Sequence, residues 1–581
     1  MKLLLGFFRR FLSHKRNVVG GFVAVPLGRL TDIAVTLLIG QALNSVQAGE
    51  GVDALQGYLA WIALYAVAQG IFSFFQRWLI VSTSRRVEAG LKQELFDKLT
   101  TLSTDFHDRN RSGDIISRLT SDVEAVRMFL GPGLMFAAGS LVMLPVTLVL
   151  LVRLDAKLAL TMALPLVLMG AGFRWLTPRL HVASKAVQEG LADLSHRAQE
   201  NFGGIRVVKG FAREAHESER FAQASRANRD HQIHLANWRG IAHVFATSSS
   251  QVTMVVILFL GGMGMIDGRL GYGDTLVFID LTLKLFWPII AIGWLAGMYP
   301  RAKASAERLR EILDEDPSIR DDNKAQDLRA QPGDFCLRDV SFRYPNAQTD
   351  ALAGINLQLP AGHTLGVVGP TGCGKTTLLQ LFGRMLDPAG EILHGGIPLR
   401  DLKLTQLRSN LGFVPQDSFL FSDTWSNNVA FGVQQDLGEE RLQELARIVC
   451  MEAELAQFNG GLAQLIGERG VTLSGGQRQR TCIARALACN PPVLILDDAL
   501  SAVDTGTETQ LLTQLRAAGE QRTVIIAAHR LSSVRHADEI LVLDSSGRPA
   551  AQGKHAALLR QDGWYAQTWT RQQAREEARG A

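Results

Sequence analysis

Predominantly apolar residues fill six stretches, near 18–43, 55–81, 129–152, 158–176, 241–266 and 272–298. A helix needs about 20 such residues to cross a bilayer, and in lipid every backbone polar group must be paired within the segment, so each stretch predicts a spanning helix. The connections near 44–54, 153–157 and 267–271 are short. Those at 82–128 and 177–240 are long and rich in Arg and Lys, as are 1–16 and the stretch after Pro300. The positive-inside bias then puts both termini and both long connections in the cytoplasm. In the first long connection apolar residues recur at helical spacing, as in Val87, Leu91, Leu95, Leu99 and Leu102. The bundle should therefore continue about 30 Å beyond the bilayer. Gly and polar residues break the pattern at 107–114 (HDRNRSGD) and 203–211 (GGIRVVKGF), which predicts turning points. These tips read equally well as contacts for another domain or as solvated hairpins.

After the last span, 301–316 reads as a charged amphipathic helix and 317–333 as a polar, Pro-containing linker. From 334 the pattern changes. Short β-rich runs at 365–368, 493–496, 523–527 and 539–543 alternate with helical patterns, predicting an α/β domain with a largely parallel sheet. The expected plan is a helical membrane domain at 1–316, the linker, an α/β domain at 334–568 and a charged helical tail at 569–581.

Composition agrees with a chain half in lipid and half in water: 47% of its 581 residues are hydrophobic and 20% charged. A net charge of +4 from 60 basic and 56 acidic residues is too balanced to imply a nucleic acid partner. The five cysteines, Cys336, Cys373, Cys450, Cys482 and Cys489, lie in the α/β part without metal-ligand spacing and read as reduced thiols. No small-residue cleavage site follows the first apolar stretch, so no removable secretory signal is expected.

Three elements carry candidate chemistry. Gly369, Pro370, Thr371, Gly372, Cys373, Gly374, Lys375 and Thr376 fit G-x-x-x-x-G-K-[ST] between a strand-like run and a helix opening at Thr377. Backbone N–H groups in such a loop curl around phosphate oxygens, Lys375 adds charge and Thr376 offers a hydroxyl to Mg²⁺. The apolar run 493–496 ends in Asp497 and Asp498, where a parallel strand would present carboxylates to a ligand. Leu473, Ser474, Gly475, Gly476 and Gln477 precede a helical run and make a second anion site, or simply an N-capped helix after a Gly turn. In the membrane half Arg29, Asp32, Arg77, Asp280 and Lys284 are costly in lipid and should face the bundle interior or a wet cavity. Asp280 and Lys284, four residues apart, read equally as a structural ion pair and as a cargo-facing pair. Phe259, Phe278, Phe286, Trp287 and Trp294 could line an apolar cargo path but read first as aromatics packed against helices or placed at interfaces.

With Asp504 closing the stretch 499–504 (ALSAVD), these elements resemble the nucleotide-binding domain of ATP-binding cassette (ABC) proteins, whose signature is LSGGQ. Six spans ahead of one such domain resemble a half-size ABC exporter of the multidrug-resistance-like class, over nearly the whole chain. The resemblance implies an all-α six-helix transmembrane domain followed by an α/β P-loop ATPase domain that binds ATP and Mg²⁺. It implies that Tyr344 (in FRYPN) stacks on adenine, a contact of about 1–3 kcal/mol. Gln416 (in FVPQD) would report Mg²⁺ and γ-phosphate to the bundle, with Thr376 and Asp497 as the other metal-side residues. His529 (in AAHRLS) would contact the γ-phosphate, and 467–470 (GERG) would touch the helical tips. Two nucleotide domains would meet head to tail, so that Ser474 to Gln477 serve a partner's ATP. The setting implied is a bacterial inner membrane with the nucleotide domain in the cytoplasm.

One position departs from the family pattern. Most members carry Glu after the strand Asp to polarise the attacking water; here Asp498 is one methylene shorter. Misplacement of about an ångström can cost about 10²-fold in rate. The expectation is a degenerate site: ATP bound, hydrolysis impaired, and a heterodimer partner that keeps its Glu. The alternatives are a regulatory ATP-binding subunit and a slowly hydrolysing homodimer. Cargo is expected to be hydrophobic or amphipathic, whether drug, lipid or peptide. A thiol reagent is expected to block nucleotide binding at Cys373.

Overall fold

The computed structural model describes all residues except 1, 323, 328–333, 346, 434, 468–469, 471, 518–521 and 581, with backbone alone for 2, 163, 166, 505, 576, 579 and 580. The chain forms two compact units, residues 1–100 with 110–315, and residues 101–109 with 316–581.

The first unit is helical. Six helices, Leu3–Gln47, Val52–Thr101, Ser112–Leu154, Ala156–Gly203, Glu214–Ile266 and Tyr272–Asp314, are long and apolar enough to cross a membrane. Each predicted span lies inside one of them. The helices run far past their apolar stretches: the fourth has 48 residues, about 70 Å at 1.5 Å per residue. The charged segment expected as a separate helix after the sixth span is its continuation, through Pro288 and Pro300, to Asp314. The third helix absorbs Pro132 in a π-helical turn, Phe129–Gly133, where a wider ring tolerates the missing N–H.

Small residues set the closest helix contact. A Cβ on Gly273 of the sixth span would stand 1.8 Å from the Gly40 carbonyl of the first, so neither position tolerates a side chain. Asn44 locks this crossing: its Oδ1 accepts from the Gly273 N–H at 2.7 Å and its Nδ2 donates to Asp274 at 2.9 Å. The fourth and fifth helices run antiparallel, with Trp175 against Trp238 and the Arg179 guanidinium 3.8 Å over the Trp175 ring.

The intramembrane charges divide. Lys284 pairs with both Asp32 and Asp280, whereas Arg77, expected to face the bundle interior or a wet cavity, is not buried by its own chain. The physical reason is that none of the most apolar window of the second span is buried by its own chain.

The second unit contains ten strands among the described residues. β1 (Phe335–Phe342), β2 (Leu352–Leu359), β4 (Ala389–His394) and β5 (Ile397–Pro398) form an antiparallel sheet ordered β2-β1-β4-β5. β3 (Thr364–Val368), β6 (Leu411–Val414), β7 (Val493–Asp497), β8 (Thr523–Ala527), β9 (Glu539–Leu543) and β10 (Pro549–Gly553) form a second sheet ordered β10-β9-β3-β8-β7-β6. Only β10 is antiparallel there. All five residues of β7 are buried, as a central parallel strand requires. The C-terminal helix starts at Trp564, earlier than the tail read from the sequence. Residues 101–109, next to the first predicted tip, belong to this unit: Thr104 Oγ1 donates to the Met385 carbonyl at 3.4 Å, and Ser318 Oγ donates to Asp105 at 3.0 Å. The second turn, 204–213, lies in the first unit. Of the stretch 467–470, Glu468 and Arg469 lie outside the described residues.

Candidate active site

The carboxyl ends of β3, β8, β7 and β6 converge on one cleft, the place where open parallel sheets bind ligands. Its volume is about 940 Å³, and Tyr344, Lys375, Gln416, Asp497, Asp498 and His529 line it, with Thr371, Gly372, Gly374, Thr376 and Thr377 from the phosphate loop. Residues distributed over nearly two hundred positions of sequence thus meet in one place. Gly369, Pro370, Cys373, Ser474, Gly475, Gly476, Gln477 and Asp504 do not line this cleft.

The loop from β3 to the helix Lys375–Phe382 takes a shape that side chains resist. Gly374 sits at φ 93°, and a Cβ there would stand 2.4 Å from the Ala351 carbonyl. Lys375 is buried, its Nζ donating to the Gly369 and Pro370 carbonyls at 3.1 and 3.2 Å. Thr376 Oγ1 donates to Asp497 Oδ1 at 3.1 Å. Tyr344 keeps an exposed ring while its Oη lies 3.1 Å from Thr377 Oγ1.

Burial pushes the Asp497 carboxyl above the usual range, and the neighbouring Asp498 charge adds to the rise while Thr376 and Lys375 oppose it. Asp498 occupies a left-handed backbone position, φ 47°, which Asp adopts more readily than most residues. Its N–H donates to the Ala527 carbonyl at 3.0 Å, and its own carbonyl accepts from Ser501 Oγ at 2.9 Å. The backbone under this carboxylate is held on both sides.

The signature stretch forms a separate feature. Ser474 caps the helix Gly475–Ala488 reciprocally with Gln477: Ser474 Oγ accepts the Gln477 N–H, and Gln477 Oε1 accepts the Ser474 N–H. Buried Gln479, which no motif marks, ties this helix to the segment after Asp498 through Ser501 Oγ at 3.0 Å and the Ala502 N–H at 2.9 Å. Asp504 caps the following helix, its Oδ2 accepting the Thr507 N–H at 2.9 Å. Sequence reasoning also missed the rim of the cleft from Ser545 to Arg548, the turn between β9 and β10, which no motif flags.

Cys373 corrects one expectation. Its side chain is buried, and burial pushes the thiol upward, so it is a poor target for thiol reagents in the folded protein despite its place in the loop.

Known proteins agree with this architecture. Residues 18–289 match the ABC transporter transmembrane region, and residues 352–501 match the ABC transporter family. A probable multidrug resistance ABC transporter ATP-binding/permease protein, YheI of Bacillus subtilis, is 34% identical over 553 residues, 92% of each chain. The multidrug resistance-like ATP-binding protein MdlA of Escherichia coli is 35% identical, across 89% of this chain and 88% of its own. An ATP-dependent lipid A-core flippase of Methylobacillus flagellatus is 33% identical, across 88% of this chain and 86% of its own. The solved structure of a bacterial Atm1-family ABC exporter with ATP bound superposes with a TM-score of 0.78 at 29% identity, covering 96% of this chain and 98% of that one. Its fold is that of the two units described here, helical spans followed by an α/β nucleotide-binding domain. The chain therefore belongs to the ABC transporter family, as a multi-pass membrane half-transporter of the exporter type whose fused ATP-binding domain couples ATP hydrolysis to transport.

Proposed function

We propose that this chain exports a hydrophobic or amphipathic substrate from the cytoplasm as one half of a heterodimer, with its own nucleotide site bound to ATP but slow to hydrolyse it. The observation that carries the reading is Asp498: a carboxylate one methylene short, on a backbone held by hydrogen bonds to Ala527 and Ser501, so that the main chain does not shift to make up the missing length. A partner with Glu at the equivalent position, completed by this chain's intact Ser474–Gln477, would supply the faster site. That the signature lies outside its own cleft supports a site shared between two chains.

In this reading Tyr344 stacks on adenine, the N–H groups of 369–377 cradle the phosphates, and Lys375 transfers its donors from the loop carbonyls to the outer phosphates. Gln416 and His529 face the γ-phosphate and sense its loss, and Asp504 orders the segment next to the partner. The donor set fits Mg²⁺: Thr376 and Asp497 are hard oxygen ligands in hydrogen-bond contact, and Gln416 adds a third. Mg²⁺, when bound, neutralises phosphate charge and offsets the burial of Asp497. Closure is driven only by the difference in ATP affinity between closed and open states.

Relatives named for multidrug resistance and for lipid A-core flipping support drug or lipid cargo, and the basic segments support an inner-membrane bundle with both termini and the nucleotide domain in the cytoplasm. The test is nucleotide occupancy after prolonged incubation with Mg·ATP. The purified chain should retain mostly ATP, and in the heterodimer ADP should appear only at the partner's site. Full ATPase activity of this chain alone, abolished by Asp498→Ala, would overturn the reading. Retained ATP with no transport by this chain's cavity would make it a regulatory subunit.

A further inference from the structure

Within the first unit a cavity of about 230 Å³ is lined by Arg29, Asp32, Phe136, Ser140, Lys284 and Trp287. Its two cations stand in opposite states. Lys284 is saturated: Nζ donates to Asp32 Oδ1 at 3.0 Å, to the Asp32 carbonyl at 3.1 Å and to Thr36 Oγ1 at 2.6 Å, and lies 3.1 Å from Asp280 Oδ2. Gln69 adds a further hydrogen bond to Asp32 Oδ1 at 2.9 Å. Both carboxylates are thus engaged by groups of the chain itself.

Arg29 differs. Among the described residues it has no hydrogen-bond or ion-pair partner, although Asp32 lies one turn further along the same helix. Its guanidinium passes over Gly139 of the third span, where a Cβ would stand 3.3 Å from Nε and 3.6 Å from one terminal nitrogen. A guanidinium inside a membrane span is costly unless something answers its charge, and its donors suit a two-oxygen anion. A second cavity, about 590 Å³ and lined by Leu141, Leu144, Leu148, Leu285 and Ile292, shares Ser140 with the first. A charged chamber and an apolar groove therefore adjoin at one residue.

We infer that these two cavities form one binding site for an anionic amphiphile, with an acidic head, phosphate or carboxylate, on Arg29 and its apolar tail along the groove. The inference deepens the export reading and rests on it. The four charges balance, so the preference rests on hydrogen-bond capacity: Asp32 and Asp280 already accept from Lys284, Gln69 and Thr36, whereas the Arg29 guanidinium has no acceptor among the described residues and disfavours a cationic head.

The test is equilibrium binding of dodecyl phosphate to the full chain, with its partner half-transporter where assembly requires one, in phosphatidylcholine nanodiscs without ATP. The signal is the part of the tryptophan fluorescence change lost in Trp287→Phe, and basal ATPase activity and ATP binding confirm that each variant is folded. Arg29→Gln should weaken dodecyl phosphate at least about tenfold and Arg29→Lys by less than Arg29→Gln, since Lys keeps the charge and loses the two-donor fork. Gly139→Val, which crowds the guanidinium without removing it, should weaken binding too. Dodecyltrimethylammonium should be indifferent to the Arg29 variants, and inorganic phosphate should give no signal. Unchanged affinity in both Arg29→Gln and Gly139→Val, equal binding of the cationic probe, or an equal response to inorganic phosphate would each overturn the inference. Because binding is read without turnover, a chain that binds the probe as stated but fails to transport refutes the export reading separately.

Discussion

The side-chain amide of Gln572 brackets the residue after His529: Nε2 donates to the His529 carbonyl at 2.9 Å, and Oε1 accepts the Leu531 N–H at 2.9 Å. Gln572 lies on the C-terminal helix, Trp564–Gly580, so the tail of the chain holds the backbone of a residue in the nucleotide cleft. Arg530 is tied from the other side to buried Glu508 at 3.1 Å, which also accepts from Ser533. Gln572→Ala removes two neutral hydrogen bonds, each worth about 1 kcal/mol. In an Asp498→Glu background, where turnover is large enough to read, kcat for ATP should fall about fivefold to tenfold, with KM changed less than about twofold. An unchanged kcat would show that His529 needs no such support.

Asp498→Glu should act on rate and stability in opposite directions. Restoring the methylene should raise the ATPase rate of the chain about 10- to 100-fold. Glu is less at home than Asp at φ 47°, so the same variant should lose about 1 kcal/mol of stability. Steady-state kinetics and thermal unfolding of one preparation read both signs.

Maleimide at neutral pH should leave Cys373 largely unmodified in the native chain and label it readily after denaturation, because the thiol is buried and its pKa lies above the usual range. Peptide mapping of the labelled protein checks this. Native labelling as fast as that of exposed Cys489 would mean that the loop opens in solution.

Stability of the second unit should decline as the medium becomes mildly acidic, through His394. The ring is buried and stacks on Phe335 with centroids 4.2 Å apart, and burial lowers its pKa below the usual imidazole value. The unfolded chain then takes up a proton near its ordinary pKa of about 6.5 while the folded one does not. Protons bind the unfolded state preferentially in that window, so stability is full above it and falls as pH drops from about 6.5 toward the folded pKa. His394→Phe should flatten the pH dependence of the melting temperature between about pH 7 and 5.

The phosphate loop, Asp497, Gln416, His529 and the six apolar stretches were legible in the chain because each is local. A glycine pattern, a strand ending in carboxylates or a run of about 20 apolar residues carries its own physics within a short window. The true length of the helices was less legible, since Pro300 looks like a stop in sequence and is accommodated inside one helix. Gln479, Gln572, Glu508 and the Ser545–Arg548 rim had no local signal, for their roles lie in hydrogen bonds and contacts to residues far away in sequence. Likewise Arg29, Asp32, Asp280 and Lys284 were visible as costly charges, and the four-residue spacing offered the Asp280–Lys284 pair, yet nothing along the chain said that Asp32 would share Lys284 while Arg29 went without a partner.

By itself, then, the sequence determined the two-part architecture, the family and the motif residues that line the cleft, though not its rim. The tertiary structure alone decided that Lys284 is saturated while Arg29 stands unanswered, that Cys373 is sealed, and that the chain's last helix supports His529. Motifs and hydropathy are properties of neighbouring residues, whereas burial and pairing depend on how distant segments pack, and the same charge is costly, neutral or useful according to what that packing places beside it.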